Sequence, residues 1–456
     1  MPVNKLPPEI LDLIPDFLDP RDRDRDLITL THVCRAWREV FVSRSSLWTN
    51  FNCVNRERTR VYLERSRSSP IDVKLNRGEH TVLHDSPFFQ VFPHATERLK
   101  SLSVLGTPEE VEDITPHLSH PAPLLEHLSI YAGHCCKPHD YPALTSALFS
   151  GDLSSLRSLC IQFVRTELPW RNMVNLTFFT LGDTPPGAVS IGQLLDFFES
   201  APYLRTVSLS SATPTGARNG RLISLAHLTD MYIEGNSPTS VLLDHLLIPA
   251  GANLEIWPHR YETVMEEYLP RSLDNLKNLS NFTTIKLYPI GIQTRVEFTG
   301  PNGRVSTAPT ARRTGRIDVV FELLPGLDTS KTERLRIKHG DLLSGGSARR
   351  ALLPMTDLLT LTLDECKSPY NLIQALQPGM DSSEVVACPE LKELVLILPT
   401  RGEVFDMTSV IEMAAARASR GMKIRTIRIS DQRDEANVDL SELRKHVGNV
   451  KYYHEV

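Results

Sequence analysis

One spacing of apolar residues, apolar-x-x-apolar-x-apolar, recurs through most of the chain. It occurs eleven times, and its first positions are 20 to 33 residues apart except for two gaps of 54 and 50, which are near twice the others. Because side chains alternate across a strand, each set predicts a short strand with one buried face. The sets are Leu99-Leu102-Val104, Leu125-Leu128-Ile130, Leu156-Leu159-Ile161, Leu176-Phe179-Leu181, Leu204-Val207-Leu209, Leu228-Met231-Ile233, Phe282-Ile285-Leu287, Thr332-Leu335-Ile337, Leu358-Leu361-Leu363, Leu391-Leu394-Leu396 and Ile424-Ile427-Ile429.

The intervals between these sets predict a repetitive α/β architecture. Leucine-rich repeats have periods of about 20 to 29 residues, with one short parallel strand and a returning helix or turn in each. Residues 190–198 and 407–420 show helical spacing followed by a breaker, as such returns require. We therefore predict an irregular leucine-rich-repeat-like solenoid. A doubly wound α/β sheet is the alternative, although its strands need longer buried runs.

The recurring spacing of apolar residues is interrupted between about residues 292 and 325. Residues 294–298 and 317–321 alternate as strands do, and Gly300-Pro301-Asn302-Gly303 has the composition of a turn. We predict a β-hairpin insertion in the solenoid.

The N-terminal 50 residues have a different pattern. Ile10, Leu11, Ile14, Phe17 and Leu18 recur at helical spacing after two prolines, and a second helical pattern follows a run of alternating Arg and Asp. Pro15 falls inside the first pattern, where it predicts a kink or an early end near Ile14. So small a segment cannot bury all its large apolar side chains, which implies a protein partner.

Three submotifs of this segment closely resemble the F-box, in order and spacing. They are Leu6-Pro7-Pro8-Glu9-Ile10-Leu11, Val33-Cys34-Arg35-Ala36-Trp37-Arg38 and Leu47-Trp48. The resemblance implies docking on the Skp adaptor of cullin-RING ubiquitin ligases. It assigns adaptor contact, or bracing of the contact surface, to nine residues: Leu6, Pro7, Ile10, Leu11, Ile14, Val33, Trp37, Leu47 and Trp48. The expected division is an F-box over 1–55, a linker over 56–75 and a repeat domain over 76–456, an arrangement similar to F-box proteins of mushroom-forming fungi.

Composition narrows the class of partner. The 50 Lys and Arg against 55 Asp and Glu give a net charge of -5, which leaves no excess for general binding to nucleic acid or membranes. No run approaches the roughly 18 apolar residues of a spanning helix, and the seven scattered cysteines suit reduced thiols. We expect an intracellular protein, cytoplasmic or nuclear.

No catalytic, cofactor or metal motif stands out. Only residues 134–139, His-Cys-Cys-Lys-Pro-His, hint at a metal, and adjacent cysteines chelate one ion poorly, so we predict a loop. Residues 301 to 350 hold ten Lys and Arg against five Asp and Glu. Lys286, Arg334 and Arg336 fall on the predicted solvent face of nearby strands, where they could bind an acidic or phosphorylated target. The competing interpretation is that these are ordinary charged side chains on the solvent-exposed face of strands, with no binding role.

These features predict a non-enzymatic substrate-recognition subunit of a Skp-cullin-F-box ubiquitin ligase. The F-box would bind the adaptor, and the repeat face would bind a target protein. A non-degradative interaction scaffold, or a small-ligand sensor built on the same repeat domain, remains open as an alternative.

Overall fold

The structure, a computed structural model, has two compact units, residues 1–217 and 218–456. The structure describes residues 7–11, 13–19, 23–53, 56–76, 95–133, 141–144, 148–166, 172–185, 187–211, 214, 216, 220–235, 239–258, 269–279, 281–290, 293–301, 303–307, 327–339, 345–366, 369–379, 385–399, 406–430 and 439–453. Among these residues, no helix is both long enough and apolar enough to cross a bilayer.

The first unit begins with short helices. They are α1 (Pro8–Leu11), a 3-10 turn (Ile14–Phe17), α2 (Arg23–Leu30), α3 (Arg35–Ser43), a second 3-10 turn (Ser45–Trp48) and α4 (Arg56–Arg65). The predicted break at Pro15 is confirmed, because α1 ends at Leu11 and Pro15 is the second residue of a separate 3-10 turn, where its missing N–H costs nothing. Residues 23–26, the later part of the Arg/Asp run, form the first turn of α2.

Seven parallel strands of the first unit follow one another in the sheet in chain order. They are β1 (Asn50–Asn52), β2 (Ile71–Asn76), β3 (Leu99–Leu105), β4 (His127–Tyr131), β6 (Ser158–Gln162), β8 (Phe178–Gly182) and β9 (Thr206–Ser210), with β5 (Ala143–Leu144) and β7 (Arg165–Thr166) forming a separate pair. The stretch expected to be a linker, 56–75, contains α4 and most of β2.

Helical returns in this unit carry their own caps. Helix α5 (Pro108–Ile114) has a capping box between Thr107 and Glu110, and α6 (Ile191–Ser200) has one between Ser190 and Gln193. In each box the hydroxyl of the N-cap residue accepts a hydrogen bond from the backbone N–H of the third helical residue. The side chain of that third residue in turn accepts a hydrogen bond from the backbone N–H of the N-cap residue. The helix predicted after Ser190 is thereby confirmed.

Within its described residues, the second unit has ten strands of one mixed sheet. They are β11 (Asp230–Gly235), β13 (Asn253–Pro258), β14 (Thr284–Ile290), β15 (Gln293–Gly300), β16 (Gly303–Thr307), β17 (Arg334–Lys338), β18 (Thr360–Asp364), β19 (Glu393–Ile397), β20 (Thr426–Ser430) and β21 (Asn449–Tyr453), while β10 (Ile223–Ser224) and β12 (Leu246–Leu247) pair separately. From β17 to β21 every strand lies parallel to the next.

Short helices connect these strands. They are α7 (Thr239–Leu243), α8 (Gly345–Leu352), α9 (Tyr370–Ala375), α10 (Thr408–Ser419) and α11 (Ser441–His446). Helices α8 to α11 pack in sequence order, each against the next, so that a helix layer accompanies the parallel strands. The helix predicted over 407–420 corresponds to α10.

All eleven predicted strands are present, and every apolar position of the repeating pattern is buried, including the degenerate Thr332. The pattern also stays in register across strands. Leu102 lies opposite Leu128, and Leu361 opposite Leu394. Within each unit, successive recurrences therefore contribute to the same core layer.

The predicted hairpin is correct in its first strand and its turn, but its second strand was misplaced. Strand β15 pairs antiparallel with β14 on one side and with β16 on the other, and β16 runs parallel to β13. The predicted partner, 317–321, lies outside the described residues. The turn places Gly303 very close to the Ala250 carbonyl. A Cβ at this position would lie 2.5 Å from the carbonyl oxygen, so the turn requires a glycine here.

Candidate functional site

The nine residues assigned to adaptor contact divide by burial. Leu11, Trp37, Leu47 and Trp48 are buried inside the chain's own N-terminal core, so their place is to brace a surface. Pro7, Ile10 and Val33 are exposed, and Ile14 is half-buried. Leu6 lies outside the described residues.

Trp48 lies at the centre of the buried group. Its Nε1 donates a 2.8 Å hydrogen bond to the Phe41 carbonyl at the end of α3, and its ring meets Tyr62 of α4 edge to face at 5.0 Å. The Arg65 guanidinium lies 4.3 Å from the centroid of the indole. These contacts tie α3, the second 3-10 turn and α4 together.

The exposed side of the same segment is apolar. Among the described residues thirteen large apolar side chains are exposed, and four of them fall between residues 10 and 33: Ile10, Leu13, Phe17 and Val33. We call these four the apolar N-terminal group. Phe17 is the most exposed of all, at 84%. Leu13 and Phe17 were missing from the predicted set, although Phe17 belongs to the apolar pattern that Pro15 interrupts.

The second predicted site lies on the solvent face of the sheet in the second unit. Lys286 of β14 lies directly opposite Arg336 of β17, and Arg334 lies opposite Thr284. Like charges directly opposite each other destabilise neighbouring strands. Nearby carboxylates offset part of that repulsion.

Glu297 of β15 is the main carboxylate in this region, with only 9% of its side chain exposed. It accepts hydrogen bonds from Lys286 Nζ at 2.9 Å, the Tyr288 hydroxyl at 3.2 Å and the Thr299 hydroxyl at 3.3 Å, and Arg304 lies 3.7 Å away. Burial acts to raise the pKa of Glu297, but the hydrogen bond and charge of Lys286, followed by the charge of Arg304, outweigh it and lower the pKa. The Glu297 carboxylate is thus ionised and already bound by neighbouring donors.

Arg336 and Lys338 of β17 also have carboxylate neighbours. Arg336 donates through Nε and Nη2 to Asp364 Oδ2, at 3.2 and 2.6 Å, and Lys338 Nζ lies 3.1 Å from Glu365. Strand alternation places residues 334, 336 and 338 on one face, so the pattern that selected Arg334 and Arg336 also pointed to Lys338.

A cleft of about 220 Å³ opens between these side chains. Its lining comprises Lys286, Leu287, Tyr288, Glu297, Arg336 and Lys338. The structure therefore brings two of the predicted target-binding residues, Lys286 and Arg336, into one cleft, while Arg334 is exposed outside its lining. Glu297, Tyr288 and Lys338 are the residues that the prediction missed.

Among the described residues, we find neither a metal-binding cluster nor an activated thiol at Cys53 or Cys388. No cluster of three or more His, Cys, Asp or Glu there could hold a metal ion, and residues 134–139 lie outside the described part. Burial raises the pKa of Cys53 and of Cys388 to about 12, opposed by the Thr59 hydrogen bond at Cys53 and by the Arg417 charge at Cys388. Such thiols are unreactive at neutral pH.

The lowered pKa of Glu297 predicts a pH-dependent contribution to stability. Because the folded pKa lies below 4.5, the unfolded chain binds the proton more readily, so the contribution is complete above pH 4.5 and is lost as pH falls through the folded pKa. We expect the free energies of unfolding of the wild type and Glu297→Gln to approach each other as pH falls below about 4.5. Urea unfolding at several pH values measures this, and a constant difference would contradict it.

Comparison with known families supplies one match. Residues 3–54 match the model of the F-box-like domain, a span that covers 52 of the 456 residues. No curated protein matches the chain significantly. Residues 3–54 therefore carry an F-box-like domain, which is typically a protein-interaction module, and the apolar N-terminal group lies within it.

Proposed function

We propose that this protein is the substrate-recognition subunit of a Skp-cullin-F-box ubiquitin ligase. The observation that carries the proposal is the apolar N-terminal group, which lies uncovered inside the F-box-like match. Four large apolar side chains exposed within 24 residues are a feature that a partner protein would cover. A Skp-family adaptor is the partner that the F-box-like domain favours, and the cullin would join through that adaptor.

The remainder of the chain would bind the target. Parallel strands that follow one another in chain order, with the same apolar positions buried each time, support an irregular leucine-rich-repeat-like solenoid over 76–456, beyond the F-box (1–55). The stretch 56–75, expected as a linker, joins them through α4 and β2, which already pairs with β3. Such repeats offer one broad strand face to a partner. In this proposal the chain is not an enzyme but acts by proximity, in the cytoplasm or nucleus, holding a target where ubiquitin is transferred by other subunits.

The scaffold and sensor alternatives use the same repeat domain. At about 220 Å³ the cleft on the sheet of the second unit is smaller than typical ligand pockets of about 300 to 1,000 Å³, so this cleft does not itself favour a small-ligand sensor. A non-degradative scaffold differs from the main proposal in one measurable respect. With purified adaptor, cullin and RING protein, only a substrate-recognition subunit supports ubiquitin transfer to a captured target.

The sharpest test of adaptor docking replaces an exposed apolar residue with a charged one. Ile10→Glu should weaken capture of a purified Skp-family adaptor by at least about thirtyfold, because an unpaired carboxylate at the centre of an apolar interface costs about 2 kcal/mol or more. Val33→Glu should do the same. Adaptor affinity is measured by surface plasmon resonance with the full chain.

Leu124→Glu is the matched control. Leu124 belongs to the same unit and is as exposed as Ile10, at 46%, but lies outside the F-box-like match. The control should bind the adaptor like the wild type. Equal affinity of the Ile10→Glu and Leu124→Glu proteins, or absence of adaptor binding by the wild type, would overturn the proposal.

A further inference from the structure

We propose that the cleft between β14, β15 and β17 binds a single anionic side chain of the target, either phosphorylated or a carboxylate. This inference rests on the proposed function for the nature of its ligand, a peptide segment of a protein. It differs from the sequence-based expectation in its members, because Lys338 replaces Arg334.

The charge of the cleft lining is positive. Lys286, Arg336 and Lys338 face one carboxylate, Glu297. When the ion-pair partners just outside the lining are included, which are Arg304, Asp364 and Glu365, four cations still oppose three carboxylates. Lys286 also lies directly opposite Arg336 across two adjacent strands. An anion between those two strands would relieve that like-charge opposition.

The donors in the cleft exceed the acceptors that they contact. Lys286 directs one of its three N–H groups to Glu297, and Arg336 directs two of its five to Asp364. The remaining N–H groups can bind an incoming oxyanion, and charge-assisted hydrogen bonds of this kind are the stronger class.

The one carboxylate in the lining does not suit a cationic ligand. Glu297 already accepts from Lys286, Tyr288 and Thr299, with Arg304 nearby, and its pKa is lowered rather than raised. Its role is to hold Lys286 and the Tyr288 hydroxyl at the edge of the cleft. A ligand then meets side chains that are already oriented, which reduces the entropy lost on binding.

The size of the cleft limits the ligand to one group. A volume of about 220 Å³ is below that of pockets for drug-sized molecules, about 300 Å³ or more. It suits the end of one side chain, with the rest of the peptide lying across the strand face.

The test uses the full chain and three acetylated, amidated pentapeptides that differ only at the central residue: phosphoserine, glutamate or serine within alanines. Titration calorimetry or ligand-observed NMR measures their affinities. We expect the phosphoserine or glutamate peptide, or both, to bind at least about tenfold more tightly than the serine peptide. A preference between the two anionic peptides tells a phosphorylated target from an acidic one, and either result supports the site.

Lys338→Gln and Arg334→Gln form a matched pair of variants. Both remove one positive charge from β17, but only Lys338 lines the cleft. Lys338→Gln should lower the affinity for the anionic peptide by about tenfold. Arg334→Gln should lower it by less than about twofold, since exposed charges at a distance are largely screened. Equal losses in the two variants would indicate a diffuse field and overturn the site, as would equal affinity of the wild type for all three peptides.

Adaptor capture on the same preparations separates this inference from the proposed function. Lys338→Gln should bind a Skp-family adaptor as the wild type does. Adaptor binding without any preference for anionic peptides overturns the cleft alone. Preference for anionic peptides without adaptor binding overturns the proposed function and leaves an anion site of another role.

Discussion

Trp48→Ala should destabilise the N-terminal part of the first unit by about 3 to 5 kcal/mol. The indole is completely buried, packs edge to face on Tyr62 and donates to the Phe41 carbonyl. Its loss opens a cavity between α3 and α4 and leaves that carbonyl without its donor. Both effects add, because the cavity is lined by side chains of three separate elements that cannot collapse together.

Trp48→Phe isolates one part of this effect. Phenylalanine keeps an aromatic ring in the cavity but cannot donate to Phe41, so we expect a cost of about 1 to 2 kcal/mol. Hydrogen exchange with mass spectrometry is the suitable measurement, because it reports opening free energies peptide by peptide in a chain with two compact units. Peptides from residues 35–65 should lose protection, and those from β17 to β20 should not.

Comparing Trp48→Phe with Ile10→Glu distinguishes residues that support the F-box-like domain from inside from residues that would contact the adaptor directly. If Trp48 acts only from inside, Trp48→Phe should retain adaptor binding while Ile10→Glu loses it. A loss of adaptor affinity in Trp48→Phe as large as that in Ile10→Glu, with protection of residues 35–65 intact, would contradict the internal position of the indole.

The repeating strands could be predicted because burial selects the same positions in each of them. Leu102, Leu128 and Leu159 occupy equivalent places in neighbouring strands, and each must be apolar since each fills the same core layer. Strand β13 escaped the pattern for a local reason. Its Leu254 and Ile256 are buried in register with Met231 and Ile233, but the position three before Leu254 is Gly251. The long interval after Leu228 therefore contained an undetected strand.

The hairpin could be predicted only in part, because strand pairing depends on contacts that alternation does not encode. Residues 303–307 and 317–321 both alternate, and the turn at Gly300 to Gly303 favours the nearer segment. The neighbour of β16 on its other side, β13, lies about fifty residues earlier in the chain. No local pattern identifies that parallel partner.

The candidate surfaces show the same limit. The spacing of apolar residues identified the N-terminal module but could not separate Leu11, which is buried, from Ile10, which is exposed. At the cleft, alternation correctly placed Lys286 and Arg336 on the solvent face, yet their common neighbour Glu297 comes from an antiparallel strand. Charge clusters are predictable from sequence when they follow one strand, and not when pairing assembles them.

Arg417→Met should destabilise the helix layer of the second unit by about 3 kcal/mol or more. The Arg417 side chain on α10 is fully buried, and its guanidinium donates to the carbonyls of Leu376, Ala387, Cys388 and Pro389 at 2.7 to 3.4 Å. Burial lowers the pKa of this guanidinium, against the opposing influence of Cys388. Methionine fills much of the space but removes the guanidinium donors of all four carbonyls, of which the Cys388 carbonyl keeps a 3.2 Å hydrogen bond from the Leu391 N–H.

These carbonyls explain why an arginine is required at this position. Only a planar group with several N–H donors can reach the end of α9 and the approach to β19 together, so Arg417 fixes the connection between two neighbouring helical returns. Arg417→Lys keeps the charge but offers a single ammonium group, and it should therefore recover only part of the stability. Cys388, whose thiol donates to the Leu352 carbonyl of α8, should lose protection from exchange together with its neighbours.

Glu412→Met is the matched control, because it introduces the same residue on the exposed side of α10 and should change stability by less than about 0.5 kcal/mol. Hydrogen exchange of peptides from residues 385–399 and 408–420 measures the three variants. Arg417→Met should lower protection in both segments, and Arg417→Lys should lie between it and the wild type. Equal protection in Arg417→Met and Glu412→Met would mean that the four carbonyls find other donors and that the buried guanidinium does not hold the helix layer together.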